Sequence, residues 1–238
     1  MTPTPRERLD AKRAKLPPRK ESPLVVTPAD RCGAERAAEW RARAEQWAAK
    51  DAAVSAWHHS LVPRRHRGSA GWRPSKWPRE AQAALQSVSD AVDAGGMVLL
   101  VGTRGPGKTQ MAVDAIHEWI HRGRGDGLYW RVSDLIADFR TKTYSEGQSE
   151  HAELLRLGKV GLLVLDELQD RRETGDEDRI LTRLLDHRYG ECRPTILIAN
   201  LTGDAALKSL GSSVIDRIGE TGTVVTCDWP SFRKGGPC

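Results

Sequence analysis

Residues Gly102-Thr-Arg-Gly-Pro-Gly-Lys-Thr109 match the pattern G-x-x-x-x-G-K-[ST], between the apolar run Met97–Val101 and the helical-looking stretch Gln110–His121. A short buried strand, a glycine-rich turn and a helix N-terminus in that order leave few folds open. The backbone N–H groups of the turn and of the first helical residues converge on one anion-sized space. Gly102, Thr103, Arg104, Gly105, Pro106, Gly107, Lys108, Thr109 and Gln110 are therefore expected to hold the phosphates of ATP. Lys108 would reach the β- and γ-phosphates, and Thr109 would place its hydroxyl on Mg2+. Pro106 takes one backbone N–H out of this loop.

A second apolar run, Leu162-Leu-Val-Leu165, ends in Asp166 and Glu167. A continuous apolar run of this length suits a strand buried on both faces of a parallel sheet, and it is the run best suited to lie beside the strand that feeds the glycine-rich turn. Asp166 is expected to support Mg2+, and Glu167 to polarise a water for in-line attack on the γ-phosphate. Strand and acids together point to an ATPase.

The chain has 238 residues, enough for one α/β domain and a smaller appendage. No stretch approaches the roughly 20 apolar residues that span a bilayer, and the basic, proline-rich N-terminus lacks a following apolar core. The expectation is a cytoplasmic protein without a membrane partner. Cys32, Cys192, Cys227 and Cys238 are scattered, with no C-x-x-C pair, and read as free thiols. Charge is divided unevenly: residues 1–80 carry 18 Lys/Arg against 9 Asp/Glu, net +9, while residues 81–238 carry 19 against 23, net −4. A basic N-terminal surface suits nucleic acid or an acidic protein face.

Residues 1–28 contain six of the 13 prolines and few large apolar groups, so they read as a disordered basic tail. Over residues 29–61 Trp40, Trp47, Val54 and Leu61 recur every seven positions with Ala37 and Ala44 between them, an apolar stripe on a helix suited to docking in a partner's groove. Residues 62–80, with Pro63, Gly68, Gly71, Pro74, Pro78 and the basic cluster Arg64-Arg-His-Arg67, read as a linker. From residue 81 to 238 helices and strands alternate. Helices are expected at Glu80–Ala94, Thr109–His121, Ser133–Tyr144, Asp178–Tyr189 and Asp204–Leu210, and strands at Met97–Val101, Gly127–Val132, Leu162–Leu165, Thr195–Ala199 and Thr223–Cys227. That alternation predicts an α/β fold, a parallel sheet flanked by helices on both faces, preceded by a small basic helical region.

Two further residues extend the site. Asn200 follows the strand Thr195–Ala199, where its amide would lie at the carboxyl end of the sheet and orient the attacking water. Arg217, in Ser212-Ser-Val-Ile-Asp-Arg-Ile-Gly219, is a fixed cation that could complete a neighbouring subunit's site in trans, which implies an ATP-dependent homo-oligomer.

Residues Arg65 to Arg233 resemble the AAA+ domain of DnaC-type helicase loaders and of the related IstB-like ATPases that assist transposases. The resemblance is carried by the P-loop, Leu162–Glu167, the stretch Asp186–Thr195 leading to Asn200, Val214–Ile218, and the ending Asp228-Trp-Pro-Ser-Phe-Arg233, which is similar to the family's W-x-S-[YF]-R. It implies an AAA+ core without a C-terminal lid. In it Gly102, Gly107, Lys108 and Thr109 bind ATP and Mg2+, Asp166 and Glu167 are the Walker B pair, Asn200 is the first sensor and Arg217 is the finger. The family's P-loop usually has proline where this chain has Arg104, and a small or hydroxyl residue at Pro106. The family also binds single-stranded DNA through the helix after the second strand, which here offers Phe139, Arg140, Lys142 and Tyr144; Lys142 and Tyr144 are the first candidates. The implied function is an ATP-dependent loader that engages a replicative helicase and single-stranded DNA. The alternatives are an ATPase assisting a transposase on duplex DNA and a non-hydrolysing ATP-binding adaptor.

Overall fold

The computed structural model describes residues 28–70, 77–170 and 175–232, with side chains from residue 37. The tail read over residues 1–28 lies outside the described residues except for Pro28, which opens a helix. The chain divides into two compact units, residues 1–46 and 47–238.

The first helix, α1 (Pro28–His59), continues across that division. In the first unit Trp40 is exposed. In the second, Trp47 and Val54 are exposed, whereas Ala53, Ala56 and Trp57 pack against the core. The stretch read as a linker carries a short helix, α2 (Arg64–Arg67), anchored by Val62, which is buried; residues 71–76 lie outside the described residues.

The rest of the chain follows the alternation read from sequence: α3 (Arg79–Asp93), β1 (Met97–Val101), α4 (Lys108–His121), β2 (Gly127–Arg131), α5 (Val132–Arg140), α6 (Glu150–Gly158), β3 (Leu162–Asp166), α7 (Gly175–Gly190), β4 (Thr195–Ile198), α8 (Gly203–Leu210), α9 (Ser212–Thr221) and β5 (Thr223–Thr226). Two helices were not expected, α6 and α9. Ser149 caps α6 by accepting from the Ala152 N–H, a start signal legible in hindsight. The helix expected over Ser133–Tyr144 is instead α5 followed by a π-turn at Thr141–Ser145, closed by the Glu146 N–H donating to the Thr141 carbonyl.

All five strands are parallel, in the order β2-β3-β4-β1-β5. This corrects one expectation: the acidic strand β3 does not neighbour β1, because β4 lies between them. The strands β3 and β4 are each buried at every position and carry similar apolar runs, so hydropathy could not rank which of them lies beside β1. Side chains alternate across the sheet. Met97, Leu99 and Val101 of β1 face α5 to α9, and Val98 and Leu100 face α3 and α4, giving one apolar core on each side. The free edge of β2 is capped: the Tyr129 N–H donates to the Ser60 carbonyl at 2.8 Å, just past the end of α1.

At the end opposite the glycine-rich turn a fully buried Arg188 ties the layers together. Its guanidinium donates to the carbonyls of Leu157, Gly158, Val160, Gly161 and Pro194 and to the Thr195 hydroxyl. Burial, and then the nearby Arg193 charge, push its pKa down to about 9, so it stays charged at neutral pH. Arg188→Leu would take a donor away from each of these buried acceptors. It is expected to destabilise the fold by about 3–5 kcal/mol, seen as a lower urea midpoint at unchanged slope.

Candidate functional site

The parallel arrangement delivers the ends of β1, β3 and β4 to one edge of the sheet. From β1 the chain enters the P-loop at Gly102, whose φ is +124°. A Cβ at this position would stand 2.3 Å from the Cys227 carbonyl oxygen, so only glycine fits where the loop crosses the end of β5. Gly105 and Gly107 also have positive φ, and α4 begins at Lys108. Lys108 is buried and curls back into the loop, its Nζ donating to the carbonyls of Gly102 (2.9 Å) and Thr103 (2.6 Å). A buried ammonium inside a ring of backbone is placed for a phosphate oxygen, which would compete with those carbonyls as acceptor.

The fold brings Thr109 and Asp166 together. The Thr109 hydroxyl donates to Asp166 Oδ2 at 2.8 Å. Two hard oxygen ligands at this separation, beside the lysine, suit Mg2+. The residues present therefore fit both groups: the P-loop would hold the phosphates, Thr109 and Asp166 the metal, and the metal would draw charge from the phosphate oxygens.

Asp166 has two more partners. The buried Tyr129 donates its hydroxyl to the same Oδ2 at 2.8 Å, and the Glu167 N–H donates to Oδ1 at 2.7 Å. Burial, reinforced by the Asp166 charge, pushes the Tyr129 hydroxyl far above its usual value, so it keeps its proton and donates it to Asp166. Tyr129 sits on β2, which pairs with β3 so that Arg131 lies opposite Asp166. Arg131 in turn reaches Glu167, Nε to Oε2, at 3.2 Å. Neither β2 residue was picked out from sequence, since a strand's polar residues acquire a role only once its neighbour is known.

Glu167 has φ +59°, an uncommon conformation for a non-glycine residue and one that turns its side chain out of the strand direction. Burial raises its carboxyl pKa, as do the charges of Asp166 and Asp170, while Arg131 opposes the shift. A raised pKa makes the carboxylate a better proton acceptor near neutral pH; the ion pair with Arg131 weakens it and holds it aside.

Asn200 lies just past β4, between the ends of β1 and β3, and its N–H donates to the Gln169 side chain at 2.9 Å. Gln110, next to Thr109, uses its side chain on other elements of the fold. Its Oε1 accepts from His66 Nδ1 and the Ser69 hydroxyl, and its Nε2 donates to Asp114. Arg104 is exposed on the loop.

Arg217 is held outside this cluster, on α9. It pairs with Asp186 at 2.5 Å, lies over the Tyr189 ring and donates to Ser213. Of the residues suggested for DNA, Phe139 is core and Arg140 pairs with Asp176 and Glu177. Lys142 pairs with Asp138 at 2.9 Å and approaches the buried Glu153. Tyr144, on the π-turn, is 65% exposed. Among the described residues no cluster of His, Cys, Asp and Glu suits a separate metal ion, and no helix is long and apolar enough to cross a membrane.

Comparison with known proteins agrees with this geometry. The family model described as IstB-like ATP binding protein matches residues 75–236, so the chain belongs to the IstB-like ATP-binding family. The replicative helicase loader DnaC of Escherichia coli strain K12 is 27% identical over 230 residues, covering 90% of this chain and 92% of the relative. A crystal structure of the DnaC helicase loader superposes with TM-score 0.58 at 21% identity, over 70% of this chain and all of the other. The replication initiator DnaA bound to AMPPCP and single-stranded DNA superposes with TM-score 0.55 at 17% identity, over 71% of this chain and 52% of the other. These superpositions establish the AAA+ P-loop fold.

Two outcomes follow from the cluster around Asp166. Arg131→Ala frees Glu167 and is expected to raise unstimulated ATP turnover severalfold, measured by phosphate release. Tyr129→Phe removes one donor from Asp166 and is expected to shift the Mg2+ dependence of nucleotide binding, followed by titrating Mg2+ at fixed ATP.

Proposed function

We propose that this IstB-like ATP-binding protein is an ATP-hydrolysing loader of a replicative helicase that engages single-stranded DNA. The observation that carries the reading is the similarity to the E. coli helicase loader DnaC over nearly the full length of both chains, coupled to a P-loop and acid pair assembled at one sheet edge. ATP occupies residues 102–110 with Mg2+ at Thr109 and Asp166. Glu167 takes the proton of the attacking water, which Asn200 orients.

Arg217 acts in trans. Within one chain it is neutralised by Asp186 and rests on Tyr189. Assembly around DNA exchanges Asp186 for the γ-phosphate of a neighbouring subunit, so hydrolysis requires the oligomer. Single-stranded DNA is met at the π-turn, where exposed Tyr144 offers a stacking face. Lys142 adds charge once its pairing with Asp138 loosens. The helicase is met by the N-terminal helix through Trp40 and Trp47, both exposed.

The test is steady-state ATP hydrolysis by the protein alone, with single-stranded DNA and with duplex DNA, with Glu167→Gln as control. Stimulation by single strands, absent in Glu167→Gln, is the expected result. Stimulation by duplex alone would replace the loader reading with the transposase-assisting one, and no hydrolysis under any condition would leave a nucleotide-binding adaptor. Arg217→Ala is expected to keep ATP binding and lose the stimulated turnover. Pairing Trp40→Ala with Trp47→Ala is expected to abolish co-sedimentation with the helicase while leaving ATP binding intact.

A further inference from the structure

The chain returns to the P-loop after β5. Trp229 is buried, and its indole Nε1–H donates to the Pro106 carbonyl at 2.8 Å. Three residues later the Phe232 N–H donates to the Gly105 carbonyl at 3.1 Å. Between them the Ser231 side chain fills the space beside Gly105: a Cβ built there would stand 2.0 Å from the Ser231 Oγ, so the tail packs directly on the loop only because position 105 has no side chain. The Phe232 ring reaches Gly107 and stacks on Trp77 with centroids 5.6 Å apart and planes inclined by 12°. Two successive carbonyls of the P-loop are thus bonded by the tail.

The direction of these bonds matters. A trans peptide places its C=O and N–H on opposite sides, and the described residues contain no cis peptide. The Pro106 carbonyl belongs to the peptide whose N–H is that of Gly107. Drawing the carbonyl toward Trp229 turns the Gly107 N–H the other way. The Gly105 carbonyl belongs to the peptide closed by the Pro106 nitrogen, which has no hydrogen to offer. In this loop the Gly107 N–H is therefore the first donor after the gap that proline leaves, and its direction is set from outside.

We propose that the segment Trp229–Phe232 is a strap behind the phosphate cradle, with Trp229 the positioning residue that aims the Gly107 N–H at a nucleotide phosphate. The inference rests on the P-loop's being the ATP site. The strap makes the loop tolerant of Pro106. Tryptophan suits the task, since an indole donates through its N–H and accepts nothing, so it bonds the carbonyl without competing for the loop's amides. Phe232 holds the other end through its main chain and through the stack with Trp77.

The peptide at issue can be read directly, because Pro106-Gly107 is the sole Pro-Gly pair in the sequence. Carbonyl-13C proline with 15N glycine labelling selects its one amide in a carbonyl-filtered NMR spectrum of the full chain. Three proteins are compared: wild type, Trp229→Phe, which keeps an aromatic ring but loses the donor, and Phe232→Ala, which loses the stack but keeps the main-chain donor. Each is titrated with ATP and Mg2+ by calorimetry and melted without nucleotide. Trp229→Phe is expected to move the Pro106-Gly107 signal before nucleotide is added and to weaken ATP binding about three- to tenfold, the range of one net hydrogen bond. Phe232→Ala is expected to change that signal and affinity far less. Wild-type affinity in Trp229→Phe would overturn the strap. So would equal losses in both variants, or losses that simply follow the melting temperature, since those describe general packing. A wild-type protein that binds no ATP would remove the site assignment itself and the strap with it, a result separate from any difference among the variants.

Discussion

One carboxylate organises the site. Asp166 accepts from the Thr109 hydroxyl at the start of α4, from the Tyr129 hydroxyl on β2 and from the Glu167 N–H that follows it. Three donors on one buried acid fix the spacing between the P-loop helix and the acidic strand even though β4 separates β1 from β3. They also turn the next residue into the left-handed conformation that carries the Glu167 side chain out of the strand direction. Charge-assisted bonds of this kind are the stronger ones in a protein interior. Displacing Asp166 would therefore disturb the candidate metal ligands and the candidate base together.

Much of this was legible beforehand, for identifiable reasons. The P-loop is a local motif in which strand, turn and helix are contiguous, so Lys108 and Thr109 follow from residue order alone. Asp166 and Glu167 were recognisable because they end a strand buried on both faces. What stayed hidden depends on which strand lies beside which. Tyr129 and Arg131 look like ordinary polar positions on β2 until the register sets Arg131 opposite Asp166. The neighbour assigned to β3 was wrong for the same reason, since runs such as Thr195-Ile-Leu-Ile198 and Leu162-Leu-Val-Leu165 carry no mark of sheet order. Residue type likewise showed that Lys142 and Arg217 carry charge, but not that Asp138 and Asp186 already neutralise them.

Buried charge is used in contrasting ways at the two ends of the sheet. Lys108 donates to two loop carbonyls, acceptors whose place a phosphate oxygen could take. Arg188 is held by five backbone carbonyls and a hydroxyl, fully buried inside the fold. The cost of desolvation is similar in kind, but only the first arrangement leaves its cation ready to change partners. The fixed cation and the exchangeable one are thereby separated in space, at opposite ends of the sheet.

The bond from the Tyr129 N–H to the Ser60 carbonyl has a mechanical meaning. Ser60 directly follows α1, so the C-terminal end of that helix, within the second unit, is tied to the outer rail of the sheet. The rail it meets is β2, whose Tyr129 grips Asp166 and whose Arg131 grips Glu167. The end of the helix is therefore tied at the very residue that makes one grip, and roughly 7 Å along the strand from the residue that makes the other.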